Sequence, residues 1–288
     1  YIGKAETATE AASRAATYNL HIGDTKTYTL AFDPNSPDVP INPDEDMPPD
    51  EDMPPEVVDP DEDIPLSFTG EAVSPSLVSN SSNNLTASNI SSFGDYTMTA
   101  RIVGFWHDNV SESAQTAYGA TKAGITFETT SLIPGNYAIN DDNEENVGWS
   151  DCDFRTTTIP TILSKIDSSL ISLIVNVDKA CITSCTDATL TTTSDKLWIM
   201  SETEIAGTNE STYGDNVAEG SQYAYYQTHN TASDRIKHNS SGSVYSYWLR
   251  SPWGRYYNRY YFAYVNDDGI VGSSYVSFDF GVAPCFCL

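Results

Sequence analysis

The residues of this 288-residue chain best suited to chemistry at a surface crowd toward its C-terminal end. Eight of its eighteen tyrosines fall between Tyr245 and Tyr275, interleaved with asparagine, serine, aspartate and phenylalanine. Tyrosine and tryptophan give large contact area at low entropic cost, and serine and asparagine add adaptable hydrogen bonds, so this composition suits recognition. Trp253, Tyr256, Tyr257, Tyr260 and Tyr261 are the expected aromatic anchors, with Asn258, Asn266, Asp267, Ser273 and Ser274 as polar contacts. Arg255, Tyr264, Tyr275, Ser277, Phe278 and Asp279 complete the expected ligand-binding set. Core packing competes for the same side chains: YFAYV, then DDG, then IVGSSYVSF reads as a hairpin turning at Asp268-Gly269, and alternation sends half of a strand inward. Tyr256 to Tyr261 is bulky on both faces of any strand, which suits an exposed loop.

Other reactive groups are poorly arranged for catalysis. Cys285 and Cys287 stand two apart on an expected strand, about 6.6 to 6.8 Å from each other along it, at the far edge of what a disulfide spans. Cys181 and Cys185 could close a small loop or stay reduced, and Cys152 with Cys287 is the expected long-range pair. His21, His107, His229 and His238 have no neighbouring motif, and no four-ligand zinc set, catalytic triad or phosphate loop is present. No enzymatic activity and no metal site are expected. Calcium is the one cofactor the carboxylate clusters would admit, but the repeats PDEDMP, PDEDMP and PDEDIP contain no glycine to bend ligands around an ion.

WSDCDFR at Trp149 to Arg155, TSDKLWIMS at Thr193 to Ser201, EGSQYAYY at Glu219 to Tyr226, YWLRSP at Tyr247 to Pro252 and the ending GVAPCFCL occur in one order. Together they resemble bacterial and phage surface domains similar in fold to formylglycine-generating enzymes. The resemblance covers residues 93 to 288, with IGDTKTYTL at Ile22 to Leu30 as its first strand. It implies an α+β chain with a C-type lectin fold, built of short twisted antiparallel strands and two or so helices. Some members are variable proteins of diversity-generating retroelements, in which adenine-directed mutagenesis rewrites C-terminal codons. An AAC codon changed at its adenines yields Tyr, Asn, Ser, Asp, Phe and Arg but not Trp or Lys, and Arg255 to Phe280 contains neither. A catalytic reading would need the oxidases' reactive cysteine pair, but Cys285 and Cys287 have a different spacing. Asn266-Asp267 is similar to the Asn-Asp of sugar-binding C-type lectins, but Val265 stands where those have Trp. Arg250, within the framework stretch YWLRSP, is expected as a buried ion-pair partner rather than a site residue.

The elements that must hold the recognition face follow from the rest of the chain. Residues 1–18 read as an N-terminal helix rich in Ala and Glu, and YIGKAETATEAASRAA resembles the part of a type IV pilin's first helix that follows its membrane-embedded segment. Residues 19–288 form the expected lectin-fold domain, with strands at 25–30, 96–106 and 123–130, others at 132–139 and 197–201, and a helix over 155–173 after Pro160. Residues 33–92, first acidic and Pro-rich, then Ser/Asn-rich, read as solvated chain, and the resemblance implies that they are an insertion between neighbouring strands.

A net charge of -26 and a pI near 4.1 argue against nucleic acid and against an anionic membrane surface. No apolar run approaches the roughly 18 residues of a membrane span, and no signal peptide is evident, so no direct membrane insertion is expected. The expected partners are a protein or glycan ligand on another cell or surface, and pilus subunits through the first helix. The expected place is a bacterial cell surface, the extracellular space or a phage particle; the alternative is a structural pilus or envelope subunit.

Overall fold

The computed structural model describes residues 20–30, 96–141, 146–166, 168–208, 217–254 and 260–288. Its chain is α+β, with three small antiparallel sheets and short helices between them. The expected N-terminal helix at 1–18 and the whole of the acidic insertion at 33–92 lie outside the described residues, as do Arg255, Tyr256, Tyr257, Asn258 and Arg259.

The largest sheet runs β1 (Thr25–Leu30), β2 (Tyr96–Phe105), β3 (Ile125–Thr129) and β9 (Cys285–Cys287), in that order. β1 and β2 are direct antiparallel neighbours, with Thr25 opposite Arg101 and Leu30 opposite Tyr96, so residues 31–95 depart from and return to adjacent strands. All five residues of β3 are buried, because β2 and β9 flank it and the core covers both faces. α1 (Glu112–Tyr118) joins β2 to β3 and ends on Gly119, whose φ of 79° gives the left-handed cap.

The sequence over 155–173 predicts one helix, but the structure divides it. A π-helical turn at Phe154–Thr158 leads into α2 (Ile159–Leu163), with Pro160 in the first turn, and α3 (Ser168–Ile171) follows separately. Ile162, Ile166 and Leu170 are buried as their spacing predicts, whereas Leu173 is exposed because the helix has ended before it.

β4 (Val177–Ser184) and β5 (Asp187–Asp195) form the two-stranded sheet. The expected strand at 197–201 is buried but extended only through one bridge, Trp198 to Cys285. Residues 132–139 likewise contribute a single bridge, Tyr137 to Phe280. α4 (Glu202–Ala206) begins with a capping box in which the Ser201 side chain accepts the Glu204 N–H and the Glu204 carboxylate accepts the Ser201 N–H. α5 (Ala224–Thr228) and α6 (Ala232–Arg235) follow, and then the third sheet, β6 (Tyr247–Pro252), β7 (Tyr261–Val265) and β8 (Val271–Tyr275).

The three sheets converge on one core that includes Trp149, Trp198, Trp248, Phe262 and Phe286, all essentially inaccessible to solvent. All five cysteines are buried and unpaired, which corrects the expected Cys152 to Cys287 disulfide. No helix among the described residues is long and apolar enough to cross a membrane.

Candidate functional site

The hairpin β7–β8 carries most of the described candidates. Its register sets Tyr261 opposite Tyr275, Ala263 opposite Ser273 and Val265 opposite Val271, so these six share one face. Phe262 and Tyr264, opposite Ser274 and Gly272, share the other. The turn is closed by Asn266, whose Oδ1 accepts the N–H of Asp268 at 3.0 Å and of Ile270 at 2.8 Å. Gly269 takes φ +78° there, and a Cβ on it would lie 1.8 Å from the Ala232 carbonyl oxygen at α6.

The first face is covered at its turn end, where Ala263 and Val265 are buried, and opens toward Tyr261 and Tyr275. Those rings lie 4.3 Å apart between centroids, and Phe278 stands 5.6 Å from Tyr275. Tyr275 is 40% exposed and Phe278 52% exposed, which makes them the open end of an aromatic row that Tyr261 anchors. The Tyr261 hydroxyl is pushed up to about 12, by loss of solvent and then by its interaction with the Tyr275 hydroxyl. It is therefore a neutral donor at neutral pH.

The other candidates are placed differently. Tyr264 stacks on Phe280 at 4.8 Å and meets the Trp248 edge at 6.3 Å, and Ser274 beside it is buried. Alternation sends both to the packed face, away from Tyr261, Ser273 and Tyr275. Asn266 spends its amide oxygen on the turn, while Asp267 is exposed. Trp253 and Tyr260 are half-buried against the core; the Trp253 backbone N–H donates to the Tyr261 carbonyl at 2.7 Å. Ser273, Ser277 and Asp279 are half-buried. Ile270, 55% exposed at the start of β8, is a surface residue that the composition argument missed; its position beyond Asp-Gly in an alternating strand was the available signal.

The core also holds a network of buried charge. Asp108 accepts from Lys179 Nζ at 2.6 Å, from Thr126 Oγ1 at 2.6 Å and from the Tyr223 hydroxyl at 3.0 Å. These donors hold its carboxyl far below the usual range, against the opposing effect of burial. Lys179 also pairs with Glu204 at 2.6 Å, and Glu204 with Arg250. Arg250, wholly buried, donates onward to the carbonyls of Ala180 and Glu219, each at 3.0 Å. A second cluster gathers Arg101, Lys237 and the Tyr226 hydroxyl around Glu128 at 2.8, 3.0 and 2.9 Å. β2, β3, β4, α4, α5 and β6 thus meet through ion pairs as well as apolar contact. Arg250 is thus a buried ion-pair partner, as expected.

Cys287 lies among these groups, with Sγ 3.3 Å from Thr126 Oγ1, and Cys285 is equally buried. Burial pushes both thiols well above their ordinary range, and neighbouring carboxylates add to the shift. Cys152 and Cys185 are pushed to about 12 and Cys181 to about 11, each chiefly by burial. All five are therefore protonated at neutral pH, the opposite of the low-pKa exposed thiolate that redox or nucleophilic chemistry uses. No group of three or more His, Cys, Asp or Glu is placed to hold a metal ion among the described residues.

Residues 124–288 match the family described as "Domain of unknown function (DUF6273)". No curated protein and no solved structure matches the chain.

Proposed function

The chain belongs to the DUF6273 family, whose function is unknown, and on that footing we propose that it is an extracellular binding or adhesion protein with a C-type lectin fold. Its C-terminal hairpin and the adjoining loop are the recognition face. The observation that carries this reading is the aromatic row Tyr261, Tyr275 and Phe278, open to solvent at one end and seated on a core tied by buried ion pairs. Tyrosine-rich contact surfaces gain most when their scaffold is rigid, since little ordering remains to be done on binding. The membership of the first and last described strands in one sheet, β1-β2-β3-β9, as its two edges, supports the lectin-like architecture. The protonated, buried cysteines favour this reading over an oxidase of the formylglycine-generating type.

The absence of Lys and Trp from Arg255 to Phe280 supports a further part of the proposal, that this surface is diversified by a retroelement. The test compares the 3′ end of the gene across a population with a nearby template copy. Substitutions concentrated in codons 253 to 280 at template adenines are expected. A uniform sequence would withdraw the diversification and favour a single fixed ligand or a structural subunit. A cell-surface location, pilus assembly through residues 1–18 and a protein or glycan partner belong to the same proposal.

A further inference from the structure

β8 is the last strand of its sheet, and its outer edge is unpaired among the described residues. The ladder to β7 fixes which backbone groups face outward. Asn266 N–H donates to the Ile270 carbonyl and Val276 N–H to the Tyr260 carbonyl, both at 2.9 Å. Counting by two from these pairs, Gly272 and Ser274 exchange bonds with Tyr264 and Phe262, while Val271, Ser273 and Tyr275 turn their peptide groups away from β7. The Tyr275 carbonyl accepts the Phe278 N–H at 2.9 Å. The remaining outward groups, both peptide polar atoms of Val271 and Ser273 and the Tyr275 N–H, meet no partner among the described residues.

Natural sheets protect such an edge with Lys, Pro, an inward charge or a bulge. β8 has none of these: from Ile270 to Phe278 no residue is charged and none is proline, and the β7–β8 register is continuous. Three of the six exposed large hydrophobic residues among the described residues, Ile270, Tyr275 and Phe278, border this one strand. Asp267 and Asp268 precede it and Asp279 follows it, so an uncharged edge is bracketed in sequence by carboxylates on both sides.

We propose that the edge of β8, unpaired among the described residues, is a peptide-binding site that takes an extended segment of a partner protein as an added strand, apolar in its middle and basic at its ends. The proposal rests on the reading of this hairpin as a recognition face, and gives that face a ligand class. Main-chain bonds supply affinity in strand addition and alternate side chains supply specificity. Charge decides against a second copy of the chain as the occupant. Antiparallel pairing of β8 with itself would bring together two molecules each carrying -26.

The test uses the full chain at low salt with a capped peptide of alternating valine and threonine ending in a lysine on each side. Titration is followed by fluorescence anisotropy and by amide exchange at Val271, Ser273 and Tyr275. The peptide is expected to bind and to slow exchange at all three amides. An analogue N-methylated at alternate amides, a glutamate-ended analogue, and the variant Ser273→Pro should each lose about ten-fold or more in affinity. Ser273→Pro removes an outward donor while the flanking bonds to β7 remain, and the N-methylated analogue leaves the protein untouched should that variant misfold.

Unchanged affinity for the N-methylated peptide, with binding lost in Tyr275→Ala/Phe278→Ala, would overturn strand addition and leave the aromatic recognition face standing. Sensitivity to N-methylation that persists in that double variant would uphold strand addition and remove the aromatic side chains from recognition. Protection of the three amides that grows with protein concentration and without peptide would assign the edge to a second copy and overturn the proposal. Absence of both binding and protection would overturn it as well.

Discussion

Glu219 is fully buried, with Oε1 accepting the Ile182 N–H at 2.9 Å, and its carboxyl is pushed up to about 7, chiefly by burial and against the pull of Arg250. A raised carboxyl binds more protons folded than unfolded between its ordinary 4.5 and about 7. This group therefore stabilises the fold at low pH relative to high pH, and its contribution falls as pH rises from about 4.5 through about 7. Glu219→Gln keeps the acceptor and removes the titration. The variant is expected to gain up to about 3 kcal/mol over the parent at about pH 8 and nothing below about pH 4, as urea melts across pH will read. At the surface, Tyr275→Ala with Phe278→Ala is expected to cost no more than about 2 kcal/mol, because Tyr275 is 40% and Phe278 52% exposed and only their mutual and Tyr261 ring contacts are lost. A large fall in the melting temperature would place them in the core and remove them from the recognition face.

The hairpin is the element on which the proposed recognition rests, and its geometry depends on the turn. Gly269 combines a left-handed φ with a clash of any Cβ against the Ala232 carbonyl, so neither the turn nor α6 can yield cheaply. Gly269→Ala is expected to cost about 2 kcal/mol or more and to disturb peptide binding at β8, measurable by thermal melts and the titration above. The Asp-Gly signal, the alternation in YFAYV and the strand at Ile125–Thr129 were all legible, since they depend on neighbours in sequence. The helix over 155–173 was legible as an apolar period but not as a broken one, because its interruption comes from packing. Ser274 and Tyr264 were named for residue type, and only the register with β6 and Phe280 turned them to the packed face.

For the whole molecule, the chain of buried pairs from Asp108 through Lys179 and Glu204 to Arg250 links the loop after β2 to β4, α4 and β6, with Thr126 of β3 bonded to its first carboxylate. Lys179→Met would leave two carboxylates buried without their shared cation and is expected to cost about 3 to 5 kcal/mol, read from denaturant midpoints. All five thiols are buried and free, so a thiol reagent should label none of them in the folded protein and five after denaturation. Labelling of Cys285 or Cys287 in the native state would reopen a chemical role for that pair. The net charge of -26 should make association with a lysine-ended peptide fall as salt rises, through screening of the attraction between opposite charges.

The sequence by itself determined the acidic balance, the concentration of tyrosine near the C-terminal end, the hairpin turn and the α+β mixture of elements. These are compositional or local properties, set by side-chain chemistry and by periods of two and 3.6 residues. The tertiary structure decided the state of the cysteines, the burial of Glu219 and the partners of Lys179, which join groups far apart in the chain. It also decided which face of β7–β8 is open and that the outer edge of β8 is unpaired among the described residues. Strand order and face selection depend on what packs against each element, and alternation along one strand cannot name that neighbour.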